Sequence, residues 1–362
     1  MKLFNVGALR PAADDARLSA ASDLVQRTLA QHGLLPGSQT PQSGCLHNGG
    51  LPNVDGLMAR FTQNSGGFAP AHTEIPEGAQ FLQKTYTHAE GSRMYRTYIP
   101  ASADMGITGV VMMLHGCTQS PEDFAAGTGM NALAEQHRIA VVYPAQSRGD
   151  NAQSCWNWFS RGDQQRGRGE PAILAGLASQ ICGFHGVERD RTFVAGLSAG
   201  GAMASILGET YPDVFAAVGT HSGLPVGAAK DIPSAFAAMG GKILDTPIRA
   251  RNETRVRTIV FHGTADATVS PKNSDIIVQR ALGTNMSQSI ETNEQGQENG
   301  RSFTRYISTD TDGTAVVEYW RIDGQGHAWS GGSNAGTYTD PKGPDASAEM
   351  LRFFFDNADE VN

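Results

Sequence analysis

From about Phe81 onward, short apolar runs alternate with stretches of helical periodicity. The runs are apolar nearly throughout rather than at alternate positions, which is typical of strands buried on both faces of a sheet. Candidate strands are 93–100, 109–115, 139–144, 191–197, 215–220, 256–262 and 315–322. Candidate helices are 121–137, 170–184, 199–211, 273–283 and 345–357. The pattern predicts an α/β domain over residues 81–362, with a mostly parallel central sheet and helices on both faces.

The first 80 residues have a different pattern. Apolar residues at steps of three and four predict an amphipathic helix within residues 12–32, namely Leu18, Ala21, Val25 and Leu29. From Leu34 to about Gln80 the chain is rich in Gly, Pro, Ser, Gln and Asn. We therefore predict that residues 1–80 form a helix and an extended irregular arm, for packing or oligomerisation rather than chemistry.

Polar and β-rich segments alternate near the C-terminus. Residues 284–300 are polar and predict a surface loop. The next run, 301–308, is joined to the strand 315–322 through an Asp312-Gly313 turn, which predicts a hairpin.

The composition limits the partners and the cofactors. A formal net charge of -8 leaves no basic face of the kind that nucleic acids require, so the sequence predicts no nucleic-acid partner. No secretory leader is visible, and no apolar run approaches the ~18 residues of a membrane helix, which predicts a cytoplasmic protein without membrane insertion, or a secreted one if a leader has been removed. The four cysteines contain no C-x-x-C pair, and no metal or organic cofactor is predicted. A homo-oligomer stays open.

The segment VAGLSAGGAMAS, residues 194–205, carries a G-x-S-x-G pattern centred on Ser198. A β-rich run precedes it, and a helical pattern with small residues in its first turn follows it. Serine nucleophiles occupy such strand-to-helix turns, where glycines relieve the crowding between strand and helix. The context favours a nucleophilic Ser198 over a tight turn that holds an incidental serine.

A nucleophilic serine needs an acid and a base. Asp266 follows the strand 256–262, and His327 lies in a glycine-flanked loop after the last predicted strand. Both lie at the C-terminal ends of predicted strands, and the chain order Ser, Asp, His is that of α/β-hydrolases. We therefore predict that Asp266 orients His327 and that His327 activates Ser198. His262 is interpreted as a packed or turn residue.

An oxyanion hole requires two N–H groups beside the nucleophile. The turn after the strand 109–115 supplies the N–H of Cys117, and the start of the next helix after the nucleophile supplies the N–H of Ala199. His115 in the same turn is predicted to be structural rather than a base. Cys117 is a weak alternative nucleophile, because no acid–base pair is left for it.

Side chains in the loops beside these segments are candidate substrate contacts. Trp156, Trp158 and Trp329 offer apolar surface for methyl and methylene groups, and packing in the core explains each of them about as well. Gln119 and Tyr143 are further candidates for the rim of a substrate pocket.

The order of the motifs over about residues 90–355 points to a known family. The pieces are LHGCTQSPEDFAAGTGMNALAE, VVYPAQS, CWNWF, RGRGEPAILAG, VAGLSAGGAMA, YPDVFAAVGTHSGL, HGTADATV, GQGHAWSGG and DPKGPDASAEMLRFF. Together they resemble esterases of the poly(3-hydroxybutyrate) depolymerase type, relatives of feruloyl and acetylxylan esterases. The resemblance implies an α/β-hydrolase fold and serine-esterase chemistry. It also implies a nucleophile at Ser198, an acid at Asp266, a base at His327, and oxyanion N–H groups at Cys117 and Ala199.

The same resemblance bears on the cysteines and on the substrate. It implies a disulfide between Cys117 and Cys155, which fits poorly with a cytoplasmic protein. Secreted depolymerases that attack crystalline polymer carry a further granule-binding module, whereas only a short segment follows His327 here. The expected substrate is an amorphous or short-chain polyester, its oligomers, or a small ester. A feruloyl or acetylxylan-type carbohydrate esterase and a non-catalytic granule-associated protein on a hydrolase scaffold are the alternatives.

Overall fold

The computed structural model describes residues 75–243, 256–283 and 290–356. Its strands are β1 Gln80–His88, β2 Gly91–Ile99, β3 Gly109–Leu114, β4 Ile139–Pro144, β5 Thr192–Leu197, β6 Ala217–His221, β7 Arg257–Gly263, β8 Ile290–Glu298, β9 Arg301–Thr309, β10 Ala315–Ile322, β11 Trp329–Ser330 and β12 Thr339–Asp340. Its α-helices are α1 Pro121–Thr128, α2 Met130–His137, α3 Gly169–His185, α4 Ala199–Thr210, α5 Ile232–Met239, α6 Lys272–Leu282 and α7 Ala346–Phe355. Short 3-10 helices cover Ala103–Met105, Gly162–Gln164 and Arg189–Arg191.

Ten strands form one mixed sheet in the order β1-β2-β4-β3-β5-β6-β7-β10-β9-β8. The central strands from β4 to β10 run parallel to one another. The pairs β1–β2 and β9–β8 extend the two ends of the sheet with antiparallel strands. The prediction of a mostly parallel central sheet is confirmed, as is the predicted hairpin, which is β9–β10.

The central strands are apolar throughout because helices cover both faces of the sheet. All six residues of β3 are buried. Val110 and Met112 pack in one apolar cluster with α3 and α4, whereas Val111 and Met113 pack in a second cluster with α1, α2 and α7. Adjacent side chains of a strand point to opposite faces, so each strand contributes to both cores.

Two sequence predictions about elements are wrong. The predicted helix 121–137 is two helices, because Gly129 between α1 and α2 has a left-handed backbone with φ 66°. The predicted surface loop 284–300 contains β8, whose residues are polar and almost all exposed. An edge strand that pairs only with β9 has little apolar surface to bury, so its composition resembles that of a loop.

Sequence analysis also missed β1 and α5. β1 is an edge strand with most of its side chains exposed, and it lies where the extended arm was predicted to end. α5 begins with a capping box between Asp231 and Ser234 and has a proline in its first turn. That Asp-x-x-Ser signal was present in the sequence and would have marked the start of the helix.

The predicted N-terminal helix and all but the last few residues of the arm lie outside the described residues. Within the described ranges, no helix is long and apolar enough to cross a membrane.

Candidate active site

Ser198 occupies the turn between β5 and α4. Leu197 is the last residue of the strand and Ala199 is the first of the helix. Ser198 itself has φ 57° and ψ -118°, a conformation that non-glycine residues rarely adopt. Its backbone N–H donates to the carbonyl of His221 at 2.9 Å. A strained residue held by its surroundings is typical of a nucleophile on a strand-to-helix elbow.

The glycines around Ser198 are required by close approach of the backbone. A Cβ atom on Gly196 would overlap the backbone of Gly200, and one on Gly200 would overlap the carbonyl of Leu114. β5, α4 and the end of β3 therefore come together at a point where no side chain fits. The G-x-S-x-G pattern has a structural cause here and does not merely reflect a glycine-rich chain.

Asp266 and His327 lie in loops that follow β7 and β10, and they form a hydrogen-bonded pair. His327 Nδ1 lies 2.7 Å from Asp266 Oδ2. The other oxygen, Asp266 Oδ1, accepts the backbone N–H groups of Thr268 at 2.9 Å and Val269 at 2.8 Å. Burial raises the pKa of Asp266, but the charge on His327 and the hydrogen bonds from imidazole rings hold it well below its ordinary value. The carboxylate is therefore ionised at neutral pH and able to orient an imidazole.

His221 connects the His327 loop to the nucleophile turn. Its carbonyl accepts the N–H of Ser198, and its Nε2 accepts the backbone N–H of Ser330 at 3.0 Å. The ring is completely buried between Phe261 and Trp329, and burial lowers the pKa of His221 well below its ordinary value. The ring is thus neutral and can accept a hydrogen bond, so it links the two loops at all working pH values.

The loops of the acid and the base are also joined directly. The N–H of Ala265 donates to the carbonyl of Gln325 at 3.0 Å, and a Cβ on Gly263 would overlap that same carbonyl. The structure therefore brings Ser198, Asp266 and His327, predicted separately from the sequence, to one edge of the sheet.

The turn after β3 lies against the nucleophile. A Cβ atom built on Gly116 would lie 3.7 Å from the Cβ of Ser198. In the part of the chain that the structure describes, the N–H groups of Cys117 and Ala199 have no hydrogen-bond partner. Two unpaired N–H groups, each next to the nucleophile turn, are available to a developing oxyanion.

The Cys117 turn is held by a disulfide and by several hydrogen bonds. Cys117 is bonded to Cys155, and the N–H of Thr118 donates to the carbonyl of Gln153 at 2.8 Å. His115 accepts the N–H of Gln146 at Nε2 and the indole N–H of Trp156 at its carbonyl. Burial lowers the pKa of His115 to about 4, so the ring is neutral and serves as a hydrogen-bond acceptor. This is a structural role for His115.

A buried carboxylate, that of Glu170, accepts hydrogen bonds from residues beside the same turn. Glu170, in the first turn of α3, accepts the backbone N–H of Asn157 at 2.8 Å and its side-chain N–H at 2.9 Å. It also accepts the side-chain amide of Gln146 and faces the guanidinium of Arg93. Burial raises the pKa of Glu170 to about 7 against these donors and the charge on Arg93.

All three tryptophans predicted as substrate contacts lie in the core. Trp156 and Trp329 are 0% and 1% exposed, and each indole N–H donates to a buried acceptor, the carbonyl of His115 and Ser347 Oγ respectively. Neither ring is available to line a substrate subsite. Trp158 is also buried, with its ring packed edge-on against Phe159.

The two predicted rim residues also have structural contacts. Gln119 accepts the N–H of Gly116 at 2.9 Å and donates to Asp123 and to the carbonyl of Thr337. Tyr143 is completely buried and donates to Asn131 at 2.8 Å. Gln119 therefore shapes the Cys117 turn, and Tyr143 belongs to the core.

An open cleft adjoins the turn. It has a volume of about 750 Å³, and Thr118 and Gln119 form part of its wall. The remaining wall carries hydroxyl groups, from Thr85, Ser92, Ser120, Ser147 and Ser154, and charged groups, from Arg93, Glu122, Arg148 and Asp150. In the described residues no group of three or more His, Cys, Asp or Glu side chains is placed to hold a metal ion.

Sequence reasoning missed the roles of His221, Glu170 and His262. His221 directly follows a candidate strand, and a polar residue at the C-terminal end of a central parallel strand is a usable signal. Glu170 is a single carboxylate in the first turn of an apolar helix. An acidic residue at that position is usually exposed to solvent and interacts favourably with the helix dipole, so the sequence contains no sign of its role. His262, predicted as a packed or turn residue, is indeed buried, and the structure also places its ring against Asp266.

Residues 93–298 match a family model described as esterase PHB depolymerase. Poly(3-hydroxyalkanoate) depolymerase C of Paucimonas lemoignei is 34% identical over 239 residues, with 63% of this chain and 56% of that protein covered. Poly(3-hydroxybutyrate) depolymerase of Ralstonia pickettii is 28% identical over 257 residues, with 65% of this chain and 51% of that protein covered. The chain thus spans about half the length of these curated relatives.

A solved structure has a similar fold. Acetyl xylan esterase from Aspergillus awamori aligns with a TM-score of 0.59 and 18% sequence identity, covering 76% of this chain and 98% of that one. The described domain therefore has the α/β-hydrolase fold of such esterases, as the sequence predicted.

Proposed function

Because the chain belongs to the family of PHB depolymerase esterases, we propose that it is a serine esterase that hydrolyses poly(3-hydroxybutyrate), its oligomers or similar short-chain aliphatic polyesters. The observation that carries the proposal is that the strained Ser198 turn and the part-buried Asp266–His327 hydrogen bond lie at the same sheet edge. The names of the two depolymerases support a polyester, and a match to acetylxylan esterase A of Talaromyces purpureogenus, 27% identical over 202 residues, keeps a carbohydrate ester as the alternative.

The reaction runs in two acyl-transfer steps. His327 accepts the proton of the Ser198 hydroxyl as Ser198 Oγ attacks the ester carbonyl, and Asp266 stabilises the imidazolium that forms. The N–H groups of Cys117 and Ala199 donate to the oxyanion. The imidazolium protonates the departing alcohol and leaves an acyl-enzyme. Water activated by His327 then releases the acid and restores Ser198.

The cleft beside the Cys117 turn suits a chain that extends beyond the scissile ester. Its hydroxyl groups can donate to the carbonyl oxygens of further ester units. A single ester of a small alcohol does not reach such contacts. We therefore propose that oligomers gain binding energy from this cleft and that small esters do not.

The protein is proposed to work in an oxidising compartment. The Cys117–Cys155 disulfide braces the turn that carries one of the oxyanion donors, and disulfides persist outside the reducing cytoplasm. This proposal favours the secreted alternative of the sequence prediction over the cytoplasmic one. Alkylation of the native protein without reductant, followed by peptide mass spectrometry, tests it: free alkylation of both cysteines would contradict the proposal.

The test of the chemistry is Ser198→Ala in a p-nitrophenyl butyrate assay. We expect kcat/KM to fall by at least about 10³-fold, because the nucleophile is lost. Ser205→Ala is the matched control, since Ser205 lies on the same helix and its hydroxyl donates to the carbonyl of Gly201 one turn earlier. If folded Ser198→Ala protein hydrolyses the ester at the wild-type rate, the mechanism is wrong.

A substrate panel tests the substrate class. Amorphous poly(3-hydroxybutyrate), its oligomers, methyl ferulate and acetylated xylan are compared as substrates of the same preparation. Faster turnover of the first two supports the proposal, and faster turnover of the last two favours a carbohydrate esterase. If the protein hydrolyses none of these substrates and does not react with a fluorophosphonate, it is a non-catalytic protein on a hydrolase scaffold.

A further inference from the structure

The carboxylate of Asp266 has a second imidazole neighbour besides His327. His262 Nε2 lies 3.3 Å from Asp266 Oδ2, the same oxygen that faces His327 Nδ1 at 2.7 Å. His262 is in β7, four residues before Asp266, and the side chains of both residues are 0% exposed. The acid is thus placed between two histidines rather than beside one.

The contacts of His262 determine which of its nitrogens carries hydrogen. Nε2 lies 2.9 Å from the carbonyl oxygen of Val269, which only accepts, so Nε2 carries the hydrogen and donates it to Val269, while Asp266 Oδ2 lies 3.3 Å from the same nitrogen. Nδ1 lies 2.6 Å from Ser274 Oγ, and the Ser274 hydroxyl therefore donates to Nδ1. A neutral ring satisfies all of these contacts.

The same contacts close the acid loop onto the sheet. Asp266 Oδ1 accepts two N–H groups from its own loop, at Thr268 and Val269, and the Val269 carbonyl accepts from His262. Oδ2 is left to the two imidazoles. The orientation of the carboxylate about its Cβ–Cγ bond is thus fixed from the loop on one side and from β7 on the other.

We propose that His262 is a positioning residue: its Nε2–H holds the acid loop through the Val269 carbonyl and faces Asp266 Oδ2, and so keeps the carboxylate in the orientation from which it fixes His327. This inference rests on the proposed function, because it assigns His262 a part in the same acyl transfer. His262 does not contact the reacting atoms in this scheme and acts only through Asp266. Its donation also takes up part of the negative charge of the carboxylate, so it makes His327 less basic.

The test compares His262→Leu, which removes the donor, with His262→Gln, whose side-chain N–H reaches to about the position of Nε2. We expect kcat for p-nitrophenyl butyrate to fall roughly 10- to 100-fold in the leucine variant, as for other residues that orient a functional group, with KM within about twofold. The glutamine variant recovers most of the loss. Ser274→Ala leaves His262 in place but removes its Nδ1 partner, and we expect its kcat to lie between those of the leucine and glutamine variants.

The pH profile separates a positioning role from a merely structural one. The ionisable groups that face Asp266 are His262 and His327, with His221 nearby. Without the His262 donor, the carboxylate attracts a proton onto His327 more strongly, so the acidic limb of kcat/KM shifts to higher pH by about half a unit or more. The limb in the glutamine variant stays near its wild-type position.

Two controls make the outcome decisive. His137→Leu replaces an exposed histidine at the end of α2 and leaves rate and profile unchanged. A folded His262→Leu protein with wild-type kcat and an unshifted limb overturns the inference, as does an equal loss in the leucine and glutamine variants without a shift. Failure of the proposed function is distinct, since the wild type then lacks esterase activity that depends on Ser198.

Discussion

Ser198 has a backbone conformation that costs free energy. It is held there largely by neighbouring glycines, which have no side chain. Gly196, Gly200 and the end of β3 crowd the same few ångströms, so the turn is fixed by backbone contacts. A fixed turn presents the serine hydroxyl in one direction without any further reorganisation.

Gly200→Ala tests this crowding. The new Cβ would overlap the Leu114 carbonyl and lie 2.7 Å from the carbonyl oxygen of His115, so we expect the free energy of unfolding to fall by at least about 2 kcal/mol. Gly183→Ala is the matched control, because Gly183 is also helical and an added Cβ has no neighbour within 4 Å. That control gains roughly 0.5 to 1 kcal/mol from helix propensity. Chemical denaturation measures both, and similar values for the two variants would contradict the crowding.

At the residue scale, the sequence was informative where chemistry restricts the residue type at a strand end. Ser198, Asp266 and His327 each follow a strand, and their order along the chain is visible without coordinates. Burial of Trp156 and Trp329 was not visible, because an indole in a loop serves equally well in a pocket or in the core. The choice depends on which loops pack together, and a linear pattern does not contain that information.

Among the elements, the turn after β3 has the most support. A disulfide, the Gln119 amide and the Trp156 indole all converge on residues 115–118. An oxyanion donor is effective only when its direction is set before the reaction, so this concentration of contacts fits the role proposed for the Cys117 N–H.

Replacing both bridged cysteines, Cys117→Ser with Cys155→Ser, tests this support. The disulfide closes a loop with a sequence separation of 38 residues, and chain entropy alone predicts a loss of about 4 kcal/mol in the free energy of unfolding. We also expect kcat/KM for p-nitrophenyl butyrate to fall at temperatures where the variant is folded, because the donor turn loses its tether. Cys182→Ser is the control, since Cys182 is a free cysteine away from the turn, buried in the core with its Sγ 3.1 Å from the Thr192 hydroxyl. A double variant as stable and active as the control would show that the tether is dispensable.

Elements buried on both faces were predicted well, and elements at the sheet edges were not. β3, β4 and β5 are continuous apolar runs, whereas β1 and β8 expose most of their side chains. An edge strand is held mainly by backbone hydrogen bonds to a single neighbour, which any residue but proline can make. The amino-acid composition of an edge strand therefore gives little indication that the segment is a strand.

Across the whole molecule, the ionisation of Glu170 connects stability to pH. Burial raises its pKa from 4.5 to about 7 in the folded protein, so the folded state binds the proton more tightly than the unfolded state does. The stabilisation is fully present below pH 4.5 and is lost as the pH rises to about 7, by roughly 3 kcal/mol in total.

Glu170→Gln removes this pH dependence. We expect the difference in unfolding free energy between wild type and variant to change steadily between about pH 4.5 and 7 and to be level above that window. Glu188→Gln, at an exposed glutamate, keeps the wild-type profile. Urea denaturation over a pH series measures the slopes, and parallel profiles for wild type and Glu170→Gln would exclude the effect.

The fold of the whole domain was within reach of the sequence, because alternating strands and helices allow few arrangements of a parallel sheet. All the predicted catalytic groups lie at the C-terminal edge of that sheet for the same topological reason. The supporting residues, His221, His262 and Glu170, were not within reach. Each acts through contacts with loops that are distant in the chain, and such contacts exist only once the sheet has formed.

The disulfide also determines the effect of proteolytic cleavage within the loop that it closes. The segment between Cys117 and Cys155 contains α1, α2 and β4, and Arg148 lies exposed within it. A protease that cuts after Arg148 leaves two pieces that the Cys117–Cys155 disulfide still joins into one covalent molecule. A nick at this exposed position beside the cleft therefore separates no part of the catalytic machinery until a reductant is also present.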